Sequence, residues 1–195
     1  MCEALVVSQC APTLAGIKTG SLFSCPAEEE ETLRGSLLRL NRLLVPRGAR
    51  LLPVRRMRGR ILLYMYRPAR LAADLAVQEA REILDRLGYP MGSAEERAAE
   101  LIRRIRAGGE FPHEAGLFLG YPPGDVDGFM RLGGRRAKLR GTWCVYGDTA
   151  SARRIFSAYR RCRTLYEDAY RRHNSVEKLI VSTQSINMKE RRTQA

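Results

Sequence analysis

The segment that most constrains the fold is Ile61-Leu-Leu-Tyr-Met-Tyr66. Every position in it is apolar or aromatic. A strand exposed to water on one side would alternate, so this one reads as an interior strand covered on both faces. A chain that contains it must supply packing layers on two sides of a sheet. The segment Leu51–Arg56 supplies the other arm of a hairpin, with the turn near Arg58-Gly59, and Arg67-Pro68 closes the strand.

Helical periodicity supplies those layers. Glu28–Glu31 puts negative charge in a first helical turn, where the dipole is positive. Leu33, Leu37, Leu40 and Leu44 follow as one stripe, stopped by Pro46 and Gly48. Leu71, Leu75, Ile83, Leu84 and Leu87 mark a second helix ending at Gly88. Ser93 with Glu96 forms a capping box for a third, with the stripe Ala98, Leu101, Ile102 and Ile105, ended by Gly108-Gly109. Pro123 opens a short helix carrying Val126, Phe129 and Met130. Asp148 caps a long last helix with Ile155, Tyr159, Cys162, Tyr166 and Ala169 inward.

The remaining segments predict strands and loops. Pro12, Gly16 and Gly20 argue against a long helix near the start and for a turn, followed by a strand over 17–24. Ala115–Leu119 and Thr142–Tyr146 read as short strands, Arg131–Arg140 as a mobile basic loop, and Val176–Val181 as a strand or a turn of helix. The expected fold class is α+β, a mixed or antiparallel sheet of about four to six strands packed with helices. One domain spans 1–181, with a flexible tail over 182–195. No internal repeat is visible.

Composition excludes several classes. The five cysteines are odd in number and contain no C-x-x-C pair, which argues against a disulfide framework or a zinc ribbon. His113 and His173 are the only histidines, so no multi-histidine metal site can form, and no metal is expected. His173 reads as a cation near a helix C-terminus. No stretch approaches the roughly 18 apolar residues of a membrane span, and the first residues lack the basic segment of a signal peptide. A cytoplasmic location is the expectation. The net charge of +13 invites a polyanion partner. However, only Lys18, Lys138, Lys178 and Lys189 among the 34 basic residues are lysine. Such arginine bias also arises from a GC-rich genome, and a solvated surface is the favoured reading over nucleic-acid binding.

The order of motifs resembles an uncharacterised bacterial family, a domain of unknown function typical of anaerobic Firmicutes. The resemblance rests on Cys10-Ala-Pro-Thr-Leu-Ala-Gly-Ile-Lys-Thr19, Tyr64-x-Tyr-Arg-Pro68, Phe111-Pro-His-Glu-x-Gly-Leu-Phe-Leu-Gly-Tyr-Pro122, Asp125-Val-x-Gly-Phe129 and Trp143-x-Val-Tyr-Gly-Asp148. It spans residues 8–166 and implies a shared fold without a reaction. The family pattern carries lysine between the tryptophan and the valine, where this chain has Cys144.

Several residues are candidates for chemistry. His113-Glu114 stands before a short apolar segment; a histidine there can serve as general base or ligand. The plainer reading has His113 bonding a loop and Glu114 pairing with an arginine. Cys10 is either an inert core thiol or, activated by His113 or Lys18, a nucleophile or a haem or iron ligand. Lys18 and Thr19, in a glycine-containing turn, are either surface residues or an anion anchor, and no phosphate-loop pattern is present. Tyr64, Tyr66, Tyr121, Trp143 and Tyr146 either line a pocket or cap the core. The leading expectation is a small-molecule or cofactor-binding protein, haem-, iron- or redox-related in one form. Its site combines Cys10, Lys18, Thr19, His113, Glu114 and Tyr121. The rivals are a Cys–His hydrolase or transferase and a nucleic-acid-binding module using the arginine surface.

Overall fold

The computed structural model describes residues 3–183. Eight helices and five strands occur among the described residues. They are α1 (Glu3–Leu14), β1 (Gly20–Pro26), α2 (Glu30–Leu44), β2 (Arg50–Met57), β3 (Arg60–Tyr66), α3 (Pro68–Leu75), α4 (Gln78–Arg86) and α5 (Ala94–Ala107). After them come α6 (Ala115–Phe118), α7 (Pro123–Leu132), β4 (Leu139–Arg140), β5 (Cys144–Val145) and α8 (Thr149–His173). No helix among the described residues is long and apolar enough to cross a membrane. The expected tail lies, from residue 184 on, outside the described residues.

The fold is α+β, and β3 is its middle strand. The main sheet is antiparallel with order β1-β3-β2. Alternation along β3 sends its residues into two cores. Ile61, Leu63 and Met65 pack with α1, α2 and Val176–Ile180 on one side. Tyr64 and Tyr66 face α3, α4, α5 and α6 on the other, with Leu62 packed at the edge of that core. The doubly apolar strand thus obtains its two covering layers. Pro53 sits in the edge strand β2, next to a register shift between Pro53 and Arg55, where a missing N–H breaks no interior ladder.

Four expectations change. The sheet is smaller than four to six strands: three strands form it, and β4-β5 is a separate two-stranded ribbon. The start of the chain is helical through Leu14 despite Pro12. Pro12 falls in the last turn, so it forfeits its own bond to the residue four before it but leaves the earlier turns whole, and α1 is buried along Val6, Val7, Cys10, Ala11 and Leu14, which erases any amphipathic stripe. Ala115–Leu119 is not a strand but the one-turn helix α6, followed by a left-handed Gly120. A short apolar run carries no period that separates the two states. The helix expected over Leu71–Leu87 is two, α3 and α4, with a break at Ala76-Val77.

Other expectations hold. Ser93 and Glu96 make both bonds of the capping box. Asp148 accepts from the N–H groups of Ala150 and Ser151. The Arg131–Arg140 segment, expected as a mobile loop, differs: it contains the end of α7 and the strand β4, and Arg140 Nη2 donates to the Gly134 carbonyl at 2.8 Å. Val176–Val181 contains a 3-10 turn, Glu177–Leu179.

The two ends of the described chain meet at Arg67, which is 1% exposed. Its Nε donates to the Thr13 carbonyl at 2.6 Å, and Nη2 to Leu14 at 2.6 Å and Val181 at 2.7 Å. Nη1 reaches the Arg47 carbonyl at 3.2 Å. Thr13 and Leu14 carry the orphan carbonyls at the end of α1, which is also the negative end of its dipole. Burial pushes the guanidinium down to about 10, which leaves it charged at neutral pH.

Replacing Arg67 by leucine takes a charged donor from four carbonyls; those of Thr13, Leu14 and Arg47 keep one longer bond each, from the Gly16 N–H at 3.1 Å, the Val181 N–H at 3.1 Å and the Thr183 hydroxyl at 3.4 Å. Urea denaturation of Arg67→Leu should show a loss of at least about 3 kcal/mol, with Arg67→Lys recovering only part of it. A loss below roughly 1 kcal/mol would show that the carbonyls find other partners.

Candidate functional site

The structure brings some of the expected site residues together and separates others. Cys10 lies on α1 inside the core on the α2 side of the sheet, fully enclosed. Burial pushes its thiol far above the ordinary range, against the opposing pull of Lys18 and a hydrogen bond with Ser21. An activated thiolate requires the opposite shift. Thr13 and Ser21 join their hydroxyls at 2.9 Å beside it.

Lys18 leaves the turn after α1 with its ammonium 5.4 Å from the Tyr121 ring centroid and 5.9 Å from that of Tyr159. Burial lowers it to about 8, with Cys10 opposing the shift and Arg163 adding to it. Thr19 donates its hydroxyl to Asp74 on α3. A Cβ on Gly120 would stand 2.6 Å from the Thr19 hydroxyl, so only glycine allows the two segments to cross there. The Lys18-Thr19 turn therefore sits beside the Gly120-Tyr121 end of the central segment.

His113 and Glu114 diverge at the other end of that segment. The His113 ring is half-exposed, edge-on to Phe129 at 4.9 Å and 82°, with the Glu110 carboxylate 3.7 Å away. Glu114 turns inward, accepts the Tyr89 hydroxyl at 2.9 Å and lies 3.6 Å from Arg104. The Arg104 guanidinium covers the Tyr89 ring at 4.0 Å. This carboxylate raises the Tyr89 phenol further after burial has raised it. Glu114 thus anchors α4 and α5, and His113 alone faces the outside.

His113 opens onto a cleft of about 430 Å³ between α6, α7 and the β4-β5 ribbon. Its walls are Phe111, His113, Tyr121, Phe129, Trp143 and Arg140. Tyr121 stacks on Trp143 at 4.9 Å, and Trp143 meets Phe156 edge-on at 4.5 Å. Asp125, buried at the start of α7, fixes this wall. One carboxylate oxygen accepts Trp143 Nε1 at 2.7 Å; the other accepts the N–H groups of Tyr146 at 2.7 Å and Gly147 at 2.9 Å. A Cβ on Gly116 would lie 2.8 Å from Val126 and 3.1 Å from Tyr121, so that glycine lets the cleft floor close up.

A family profile matches residues 6–180. The chain belongs to the family described as Protein of unknown function (DUF3793). No curated protein and no solved structure matches the chain. The segments behind the resemblance meet in space. Tyr64 donates its hydroxyl to the Phe118 carbonyl at 2.6 Å, the Arg67 N–H bonds the Thr19 carbonyl at 2.9 Å, and Asp125 holds Trp143.

Sequence reasoning did not single out Arg67, Asp125, Phe111 or Phe129. Arg67 and Asp125 were visible as charged residues inside otherwise apolar motifs, Tyr64–Pro68 and Asp125–Phe129. A charge at such a place is costly unless fully bonded. Of the five aromatic residues with two readings, Tyr121 and Trp143 line the cleft, while Tyr64 and Tyr66 stack in the core at 4.9 Å. Tyr146 accepts the Gly134 N–H through its hydroxyl. Among the described residues no group of three His, Cys, Asp or Glu side chains is placed to hold a metal ion.

Asp125→Ala should leave three donors without their acceptor. Its urea midpoint should fall by an amount equal to about 2–3 kcal/mol, and the emission of Trp143 should shift to the red as the ring loosens. Unchanged emission would show that stacking alone holds Trp143.

Proposed function

We propose that this chain binds a small, ring-containing molecule in the cleft between α6–α7 and the β4-β5 ribbon. The observation that carries the reading is the cleft itself. At about 430 Å³ it falls in the size range of small-molecule sites, roughly 300–1,000 Å³. Phe111, Tyr121, Phe129 and Trp143 offer stacking surfaces, and Arg140 and His113 offer polar contacts. His113, reachable from solvent, is the group suited to hydrogen-bond the ligand or to exchange a proton with it.

This reading moves the site away from Cys10, whose enclosed and protonated thiol offers a haem or iron ligand poorly and a nucleophile hardly at all. Cys144 shares the cleft with His113, but no hydrogen bond joins the two. A Cys–His hydrolase or transferase therefore has weaker support than simple binding.

Trp143 is the single tryptophan, so its emission reports on the cleft directly. Titration with flavin mononucleotide, haemin and a panel of aromatic metabolites should yield at least one compound that quenches it saturably. His113→Ala should weaken that compound about tenfold, the loss of one good hydrogen bond. If no compound quenches Trp143 or raises the melting temperature, the reading fails.

One observation favours a second reading, polyanion binding. Arg153, Arg154, Arg160, Arg161 and Arg163 are exposed along α8, and none makes an ion pair among the described residues. Such a face predicts oligonucleotide affinity that falls steeply between 50 and 200 mM salt. Fluorescence anisotropy of labelled single- and double-stranded oligonucleotides should show it, and Arg160→Glu with Arg161→Glu should abolish it. Binding indifferent to both salt and charge reversal would exclude it.

A further inference from the structure

Lys18 is a cation without a counter-ion. The residue is 9% exposed, Nζ is not itself fully enclosed, and no hydrogen bond or ion pair to Nζ occurs among the described residues. A buried charge is normally paired, because removal from water is otherwise uncompensated. The faces of Tyr121 and Tyr159 offset part of that loss. They do not neutralise it.

The surrounding elements carry charge of both signs, and the one that acts directly on Lys18 is positive. From α8, Arg163 acts on Lys18 as a like charge. From α3, Arg70 donates Nη1 to the Gly16 carbonyl at 2.9 Å, within the same turn that carries Lys18. Asp74, also on α3, is the nearby carboxylate, and it is engaged by the Thr19 hydroxyl. From α1, the Cys10 thiol is kept protonated by burial. The Tyr121 and Tyr159 hydroxyls are each pushed up to about 12, mainly by burial, so both stay neutral donors at any ordinary pH.

We infer that Lys18, framed by Tyr121 and Tyr159 with Arg163 close by, is a receiving site for the carboxylate or phosphate group of a small anion. The ammonium supplies three donors, the tyrosine rings shield the pair from water, and the Arg163 guanidinium biases the field toward negative charge. The anion completes a charge balance that the chain leaves open. The site stands on the other elements that Tyr121 touches, α1's turn and α8, and does not require that the cleft be occupied.

Binding and protonation are linked here. An anion stabilises the charged amine, so it must raise the pH at which Lys18 loses its proton. Affinity then falls about tenfold per pH unit once the pH exceeds the titration point of the empty site.

The chain has four lysines, Lys18, Lys138, Lys178 and Lys189, so nuclear magnetic resonance of isotope-labelled lysine can follow each ε-position alone. Through-bond correlations in the wild-type chain assign Lys18, which keeps the experiment independent of whether Lys18→Met folds. The titration is run in anion-poor buffer, then with inorganic phosphate, with acetate, and with chloride at equal ionic strength. Lys18 should titrate near pH 8 in the first condition. Its midpoint should rise by at least one pH unit with phosphate or acetate, and the other three lysines should not follow. A rise with phosphate only assigns a phosphate group, and a rise with acetate assigns a carboxylate. If chloride moves Lys18 as much as either oxyanion, or if neither moves it, the site is not an oxyanion site. Quenching of Trp143 by phosphate at the same concentration would place the anion in the cleft and overturn a separate site.

Discussion

Arg67 carries the constraint on which the rest of the architecture depends. It leaves the end of the central strand and is buried where α1 ends, where α2 has just ended and where the described chain returns at Val181. A guanidinium fits this place because it presents five donors in a plane, and carbonyl groups from three directions can each take one. Without it, the Thr13 and Leu14 carbonyls would keep only one backbone bond each, from Gly16 and Val181, and lose their charged donor. No carboxylate takes part. The charge is compensated by oriented backbone dipoles, which keeps the guanidinium from shifting toward one partner.

The two candidate sites follow from that arrangement. Because α1 is held by its end, the turn after it is delivered to α3 and to Gly120, where Thr19 bonds Asp74 and the chain crosses itself at a glycine. Tyr121 then projects between two environments, the buried ammonium of Lys18 and the ring of Trp143. Asp125 fixes the far wall by the mirror image of the Arg67 device: its carboxylate accepts from neutral donors, where Arg67 donates to neutral carbonyls. The cleft is therefore built on bonded polar groups rather than on loop packing, and its aromatic walls are preorganised.

How far the sequence reveals this depends on the range of the interaction. The middle position of β3, the hairpin, the capping box at Ser93 and the cap at Asp148 were legible, because period, turn chemistry and caps are local. The state of α1 was not, since a helix buried on all sides shows no stripe. Nor was α6, whose four residues have no period to read. The β4-β5 ribbon was half visible: Thr142–Tyr146 reads as a strand, but its partner Leu139-Arg140 lies in a segment whose composition is that of a loop. At the site, His113, Lys18 and Tyr121 were legible as unusual residues in apolar or glycine-rich surroundings. Their grouping was not, because the contacts that part His113 from Glu114 and join Lys18 to Tyr121 span the packing of separate helices.

The four-carbonyl tie also has a consequence for the order in which a ribosome makes the chain. Thr13, Leu14 and Arg47 are synthesised before Arg67, but Val181 follows it by 114 residues. At common translation speeds that interval is on the order of 10 s. Throughout it the guanidinium lacks one acceptor, and α8, which packs against α1, does not yet exist. The nascent chain thus leaves the α8-facing side of α1 uncovered until its last long helix emerges.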